Sequence, residues 1–322
     1  MVFRWRPIEA EDAAACAALS VAIQAADGGA EVLSEQDVLD TMSDPNYDFS
    51  RGSMAVFDGT VLAGYCVLMK RTAADPVHEM YQQGGVNPRY RGRGLGGKLM
   101  EWAERAAVPI HEDAFPGRPL SLVGFYLQGN ASAAALFESF GYQPRRWMHV
   151  MTMDLGSAKL GEPPASPSGV EIVGFTPERS QDAQLVRDEA FADHWGSTPS
   201  TADSWAHLIG TEAFRPAFSF LGYEAGEPLG LILAYEYDAY REVTGIRDLF
   251  IGIVGTRRAG RKRGIASALL TRTLTLAQAA GYGQASLYVQ ADSMTGAVGL
   301  YQRIGFGISH STVTQAKVLI AA

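Results

Sequence analysis

Two stretches of this chain follow one plan, and no other feature restricts its fold as sharply. In the first, a strand ending at GGV runs into RYRGRGLGGKLMEWAERAA, then a strand SLVGFYL, then ASAAALFESFGY. In the second, a strand ending at VGT runs into AGRKRGIASALLTRTLTLAQAAG, then ASLYV, then TGAVGLYQRIGF. Gly94 and Gly264 lie 170 residues apart, and Gly141 and Gly305 lie 164 apart. Matching features in one order at a nearly constant, domain-sized offset indicate a tandem pair rather than a solenoid. The 322 residues suffice for two domains of about 150 residues each. Between the copies, GSAKLGEPPASPSG is rich in Gly, Pro and Ser and lacks an apolar period, as a linker does. The expected division is a first domain 1–155, a linker 156–169 and a second domain 170–322.

Within each half the periodicity gives a mixture of helix and strand. An opening strand (residues 3–8; 170–175) precedes two helical stretches with apolar residues at three- and four-residue steps. Two strands follow around turns at Asp58-Gly59 and 224–227, and a fourth strand leads into a Gly-rich turn and a long helix (94–107; 264–280). A buried-looking strand, a helix stopped by Gly141 or Gly305, and two closing strands complete each half. The fold class is α+β: two tandem domains, each a mixed, mostly antiparallel sheet flanked by helices.

The net charge of −8 argues against nucleic-acid binding, which leaves a basic footprint. Two cysteines, Cys16 and Cys66, are too few for a disulfide framework or a Cys-rich zinc site, and the six histidines lack ligand spacing, so no metal is expected. The charged N-terminal segment MVFRWRPIEAED is no signal peptide. Apolar runs such as 61–69 fall far short of the ~20 residues that span a bilayer. A cytoplasmic protein without membrane or nucleic-acid partners is expected; the oligomeric state is open.

What both Gly-rich turns keep is Arg-x-x-Gly-x-Gly/Ala: Arg91, Gly92, Arg93, Gly94, Gly96 and Gly97 in one, Arg261, Lys262, Arg263, Gly264, Ala266 and Ser267 in the other. Small residues admit a ligand close to the backbone, and free N–H groups at a helix start form an anion site. The flanking cations are misplaced for the helix alone, and a bound polyanion would resolve that. The first copy nearly fits two nucleotide motifs. Gly92-x-Gly94-x-x-Gly97 fits the dinucleotide fingerprint, and Gly92-x4-Gly97-Lys98 fits a P-loop except that Leu99 replaces the Ser or Thr for magnesium. The second copy has neither motif.

The shared turn and the late segment together resemble the GNAT superfamily of acyl-CoA-dependent N-acetyltransferases, over both halves. The late segment reads Asn130, Ala133, Phe137, Gly141, Tyr142 in the first copy and Tyr301, Gly305, Phe306 in the second, with Ser293 or Met294 near the Asn position. The resemblance implies that the turn holds the pyrophosphate of acetyl-CoA. It also implies that the fourth strand splays from the fifth beside the pantetheine arm, near Val86 and Thr256. The implied activity is acetyl transfer from acetyl-CoA to a primary amine of a small molecule. The alternatives are a longer acyl group, a hydroxyl acceptor, or a non-catalytic acyl-CoA-binding tandem.

Direct transfer needs a base for the ammonium and an acid for the departing thiolate. The family's acid is often the late-segment Tyr, here Tyr301; the first half has Phe137, so it is expected to bind CoA in a supporting role. The family's strand Glu falls on Met80 and Phe250. Asp248, two residues before Phe250 and on the same strand face, and Glu236 on the preceding strand are the candidate bases. A solvated charge or an ion pair to Arg247 or Arg241 is the competing account of both. His78 and Glu79 stand near the matching place in the first half. His194 and Trp195 follow a helix where acceptor contacts occur. Tyr235, Tyr237 and Tyr240, with Glu236 and Asp238, form an aromatic and acidic stretch suited to a cationic amine.

Overall fold

A computed structural model describes residues 2–29, 32–74, 76–160, 166–192, 199–292 and 296–321. In chain order these form β1 (Arg4–Arg6), α1 (Ala13–Asp27), α2 (Glu35–Ser43), α3 (Phe49–Gly52), β2 (Ser53–Asp58), β3 (Val61–Ala74) and β4 (His78–Val86). Then come α4 (Leu95–Ala114), β5 (Leu120–Leu127), α5 (Ala131–Ser139), β6 (Gln143–Asp154), β7 (Val170–Gly174), α6 (Ser180–Phe191) and α7 (Ala202–Gly210). The chain closes with β8 (Phe220–Glu224), β9 (Glu227–Tyr235), α8 (Asp238–Thr244), β10 (Asp248–Thr256), α9 (Ile265–Ala279), β11 (Gln284–Gln290), α10 (Ala297–Ile304) and β12 (Gly307–Ile320).

The contacts divide the chain into two units, but the cut does not fall at the Gly/Pro-rich segment. Unit 1 comprises Met1–Trp147 together with Ser311–Ala322, and unit 2 is Met148–His310. The physical reason is a strand exchange. Thr312–Ile320 of β12 pairs antiparallel with β5 and completes unit 1, whereas Met148–Asp154 of β6 pairs antiparallel with β11 and completes unit 2. Each half therefore has one closing strand where two were expected, and each sends it to the other unit. Each sheet runs antiparallel except for one parallel contact, β4 with β5 and β10 with β11. Crossover helices α4 and α9 make those parallel contacts possible.

Helix composition decides which face each helix buries. In α4, Leu95, Leu99, Met100, Ala103, Ala107 and Ile110 recur at helical steps and pack on Met80, Leu120 and Leu122. In α9, Ile265, Leu269, Leu270, Leu274 and Ala277 do the same against Ile232, Leu249, Ile251 and Leu287. The opposite faces are covered by α1 and α2 through Ala13, Cys16, Leu19 and Val38, and by α6 and α7 through Ala183, Val186 and Trp205. Tyr240 lies in α8 rather than on a strand, so the tyrosine stretch ends its alternation at Tyr235.

Candidate functional site

Both sheets fork. The β4–β5 ladder holds only from His78↔Leu120 to Tyr81↔Val123; beyond it β4 pairs with β3 alone. The β10–β11 ladder holds from Asp248↔Gln284 to Ile251↔Leu287, and beyond it β10 pairs with β9 alone. Each gap is thus lined on one side by strand backbone groups without a ladder partner there, and it opens toward the Gly-rich turn. The second fork has a feature that the first lacks. Opposite β9 the register of β10 shifts between Ile251 and Ile253, a bulge at Gly252 placed at the crotch. A bulge leaves a backbone N–H out of the ladder. Opposite β3, β4 keeps its register through the crotch.

The turns match atom for atom where they leave the strands. Arg91 Nε donates to the carbonyl of Val86 (3.2 Å), and Arg261 Nε to that of Thr256 (3.3 Å). Gly94 and Gly264 take the left-handed conformation (φ 76° and 82°) directly before α4 and α9, which favours glycine. Two residues earlier Gly92 and Lys262 are also left-handed (φ 73° and 62°). The turn arginines prove to be engaged by the protein itself. Arg91 makes a two-pronged pair with Asp27 (2.6 and 2.8 Å), Arg263 does so with Glu224, and Arg93 lies over the Tyr90 ring. Arg261 Nη2 reaches the carbonyl of Ala190 at 3.1 Å. The flanking charge therefore no longer requires a bound polyanion, and the anion-binding capacity rests on the backbone.

Those backbones are open. A Cβ at Gly92 or Gly94 would meet nothing within 4 Å, and one at Gly264 would meet only Pro167 Cγ at 3.9 Å. At Gly96 a Cβ would come 3.1 Å from Leu136, so this first helical turn tolerates small residues such as its counterpart Ala266. Gly97 and Ser267 follow, half-buried. Thr256 Oγ1, at the strand end, is buried without a partner. Asn130 caps α5 by accepting from Ala133 N (3.1 Å) and donates to Asp27 at 3.4 Å. Asp27 thus ties the turn after β4 to the cap after β5.

The proton-handling candidates separate by environment. Glu236, just past β9, is 5% exposed and accepts from Arg247 Nε (2.6 Å), Arg215 Nε (3.0 Å) and Tyr282 Oη (2.7 Å). Burial opposes its charge, but these donors outweigh burial and hold the carboxyl at about 2. A carboxylate so occupied is an ion-pair hub and a poor proton acceptor near neutral pH. Asp248 differs: its donors, Ser286 Oγ (2.5 Å) and Gln284 Nε2 (3.0 Å), are neutral, and burial pushes its pKa up. Tyr301 is 7% exposed, packs edge-on to Phe306, and makes no hydroxyl hydrogen bond among the described residues; burial pushes it to about 12. In unit 1 the Phe137 ring lies against β5 at the crotch, 2.7 Å from where a Cβ of Gly124 would stand.

The ladders also expose a correspondence that residue counting hides. Val86 pairs with Gly64 as Thr256 pairs with Gly230, but the extra residue at Gly252 makes Glu79, and not Met80, the counterpart of Asp248. Met80 faces α4, whereas Glu79 is 5% exposed on the other face and accepts from Tyr81 Oη at 3.2 Å. Burial raises its pKa despite Arg146, Arg71 and Arg145 nearby. The two turns are 170 residues apart and the two carboxylates 169, and that one-residue slip was the available signal. His78 is spent in the interior, its Nδ1 2.8 Å from that of His111. His194, Trp195, Ser293 and Met294 lie outside the described residues.

The comparisons agree with this architecture. The Acetyltransferase (GNAT) family model matches residues 184–306, and an Acetyltransferase (GNAT) domain model matches residues 51–144. The chain is 30% identical to the mycothiol acetyltransferase of Salinispora tropica over 314 residues, covering 95% of this chain and 93% of that protein. The chain belongs to the GNAT acetyltransferase family. Its two GNAT domains stand in tandem, and it is an acetyltransferase. The mycothiol acetyltransferase of Streptomyces avermitilis is 29% identical over 255 residues, 79% of this chain and 75% of that protein. Among solved structures, a GCN5-related N-acetyltransferase from Sphaerobacter thermophilus superposes with a TM-score of 0.79 at 29% identity, covering 99% of this chain and 96% of that one. A tandem GNAT protein from the clavulanic acid biosynthesis pathway shares the fold over 100% of both chains, with a TM-score of 0.72 at 15% identity.

GNAT acetyltransferases use acetyl-CoA as co-substrate, and the forked strands, the open turns and the orphaned Thr256 hydroxyl fit that group. The N–H groups of 92–97 and 262–267 would hold its phosphates, and the strand ends at Val86 and Thr256 its arm. Among the described residues, no group of three or more His, Cys, Asp or Glu could hold a metal ion, and no helix is long and apolar enough to cross a membrane.

Proposed function

We propose that this GNAT protein moves an acetyl group from acetyl-CoA to a primary amine of a small molecule, with the chemistry in the second half. The observation that supports this most is the bulge at Gly252, in the crotch of the β10–β11 fork, near a buried carboxylate without a cationic partner. Acetyl-CoA, when bound, supplies an acetyl group already activated as a thioester. The backbone N–H left out of the ladder by the bulge is a dipole available to stabilise the negative charge that develops on the thioester carbonyl. Asp248 takes the proton of the incoming ammonium, directly or through water, because its raised pKa makes it a better base than an exposed aspartate. Tyr301 gives its phenolic proton to the departing sulfur. Its lack of an internal hydrogen-bond partner leaves that proton available.

Thiol release from acetyl-CoA with a panel of primary amines tests the reaction, and Tyr301→Phe tests the acid. That variant is expected to lose about 10²-fold in kcat with its acetyl-CoA affinity, read by calorimetry, unchanged. A fully active Tyr301→Phe would remove the acid from the mechanism. Turnover lost instead on disruption of the Arg91–Gly94 turn would move the chemistry to the first half.

A further inference from the structure

Beside the fork of unit 2, the face covered by α6 and α7 carries a wall of aromatic rings. Phe250, the rung before the last of the β10–β11 ladder, is its centre. Its ring centroid lies 5.3 Å from that of Tyr288, 6.1 Å from Tyr237 and 6.5 Å from Tyr235. Tyr288 is the first residue of β11 beyond the ladder, so the Phe250–Tyr288 contact spans the crotch. Tyr235 lies over the bulge: a Cβ at Gly252 would stand 2.6 Å from its ring. The wall has an exposed rim, Tyr237 at 36% and Tyr288 at 42%, and a buried end at Tyr235, 5% exposed. The hydroxyl of Tyr235 is buried without a hydrogen-bond partner.

We infer that this wall is the acceptor subsite, and that it selects a monocationic primary amine carried on an aromatic or apolar group. The inference deepens the acyl-transfer reading above and rests on it. Three features select the class. Asp248 stands two residues before Phe250 on the same strand face and has only neutral donors, Ser286 and Gln284, so a cation is the partner its charge lacks. The same uncompensated carboxylate disfavours an acidic acceptor, whereas Glu236 is already held between Arg215 and Arg247. The rings favour an ammonium over their faces and a flat or apolar carrier against them. A polyhydroxylated carrier would instead need free polar groups. The hydroxyl of Ser286 and the amide of Gln284 are turned to Asp248, Tyr240 is turned to Gln284, and the Tyr235 hydroxyl is buried.

The test compares 2-phenylethylamine, glucosamine and glutamate, by thiol release and by calorimetric binding to the full chain with CoA present. Tyr288→Ala is the probing variant, since an exposed ring can be removed without opening the core. We expect kcat/KM for 2-phenylethylamine to exceed that for the other two at least tenfold. In Tyr288→Ala, KM and Kd for 2-phenylethylamine should rise about tenfold while kcat stays within about threefold. Equal or better use of glucosamine or glutamate overturns the inference, and so does an unchanged Kd in Tyr288→Ala. If no amine releases thiol but 2-phenylethylamine still binds best and Tyr288→Ala still weakens it, the subsite stands and the acyl-transfer reading fails.

Discussion

Ser286 on β11 donates its hydroxyl hydrogen to Asp248 on β10, diagonally across the ladder whose last rung is Leu287, one residue before Tyr288. That bond, with the one from Gln284, favours the ionised carboxylate, yet burial outweighs both and the pKa stays raised. Activity that needs ionised Asp248 should therefore fall as pH drops through a value above the usual aspartate range. Asp248→Asn keeps the shape and removes the base. It is expected to lose ~10²-fold or more in kcat/KM near neutral pH and to recover in part as the amine itself deprotonates at higher pH. A kcat/KM–pH profile identical to wild type would eliminate Asp248 and leave a water chain or solvent as the acceptor.

Glu236 is shifted the other way from Asp248, and its test is stability rather than turnover. Its carboxyl sits at about 2 in the folded chain, below its unfolded value, so its contribution to stability is complete above the unfolded pKa and disappears as pH falls toward 2. Glu236→Gln leaves Arg215 and Arg247 without their shared anion. With both arginines partly exposed, we expect a loss of ~2 kcal/mol at pH 7, shrinking as pH falls below ~4, read by denaturant unfolding. A constant difference across that range would show that charge is not the cause.

Gly264→Val forces a β-branched residue into a left-handed position and puts bulk before the open N–H groups. Calorimetry with acetyl-CoA should lose the second-half site while any first-half site remains. Lys262→Gly is the companion variant: it relieves a left-handed lysine and should raise stability by ~1 kcal/mol without weakening acetyl-CoA. Undiminished stoichiometry and affinity in Gly264→Val would remove this turn from the binding site.

Glu79 offers a stability test independent of turnover. Its folded pKa is raised, so the folded chain holds its proton more tightly than the unfolded one. Its stabilising contribution is complete below the unfolded pKa and is lost as pH rises through the folded value. Glu79→Gln should therefore melt at or above the wild-type temperature at pH 7.5 and lose that advantage near pH 4. A lower melting point at pH 7.5 would mean that Arg146 and Arg71 hold it as a structural ion pair.

Much of the fold was legible because the turns repeat: Arg91 to Gly96 and Arg261 to Ala266 each announced a strand end, a left-handed glycine and a helix start. The destination of the closing strands was not legible, because nothing local in β6 or β12 says which sheet edge each will join. The base was half legible. Asp248 could be named from strand alternation, but its kinship with Glu79 was hidden by one inserted residue, and bulges leave little mark in composition. The sequence leaves Glu236 open as base or ion pair, and only its contacts with Arg215, Arg247 and Tyr282 separate the two.

The exchange of closing strands bears on how the chain is born. The stretch that finishes the amino-terminal sheet, from Ser311 onward, leaves the ribosome only after all of unit 2 has been made. The amino-terminal sheet therefore waits with the outer edge of β5 unpaired while the whole second sheet is synthesised, an exposed edge of the kind that invites mispairing. Maturation becomes a single act for both halves, and a gene broken at the Gly/Pro-rich segment would yield two fragments, each lacking a strand that only the other can provide.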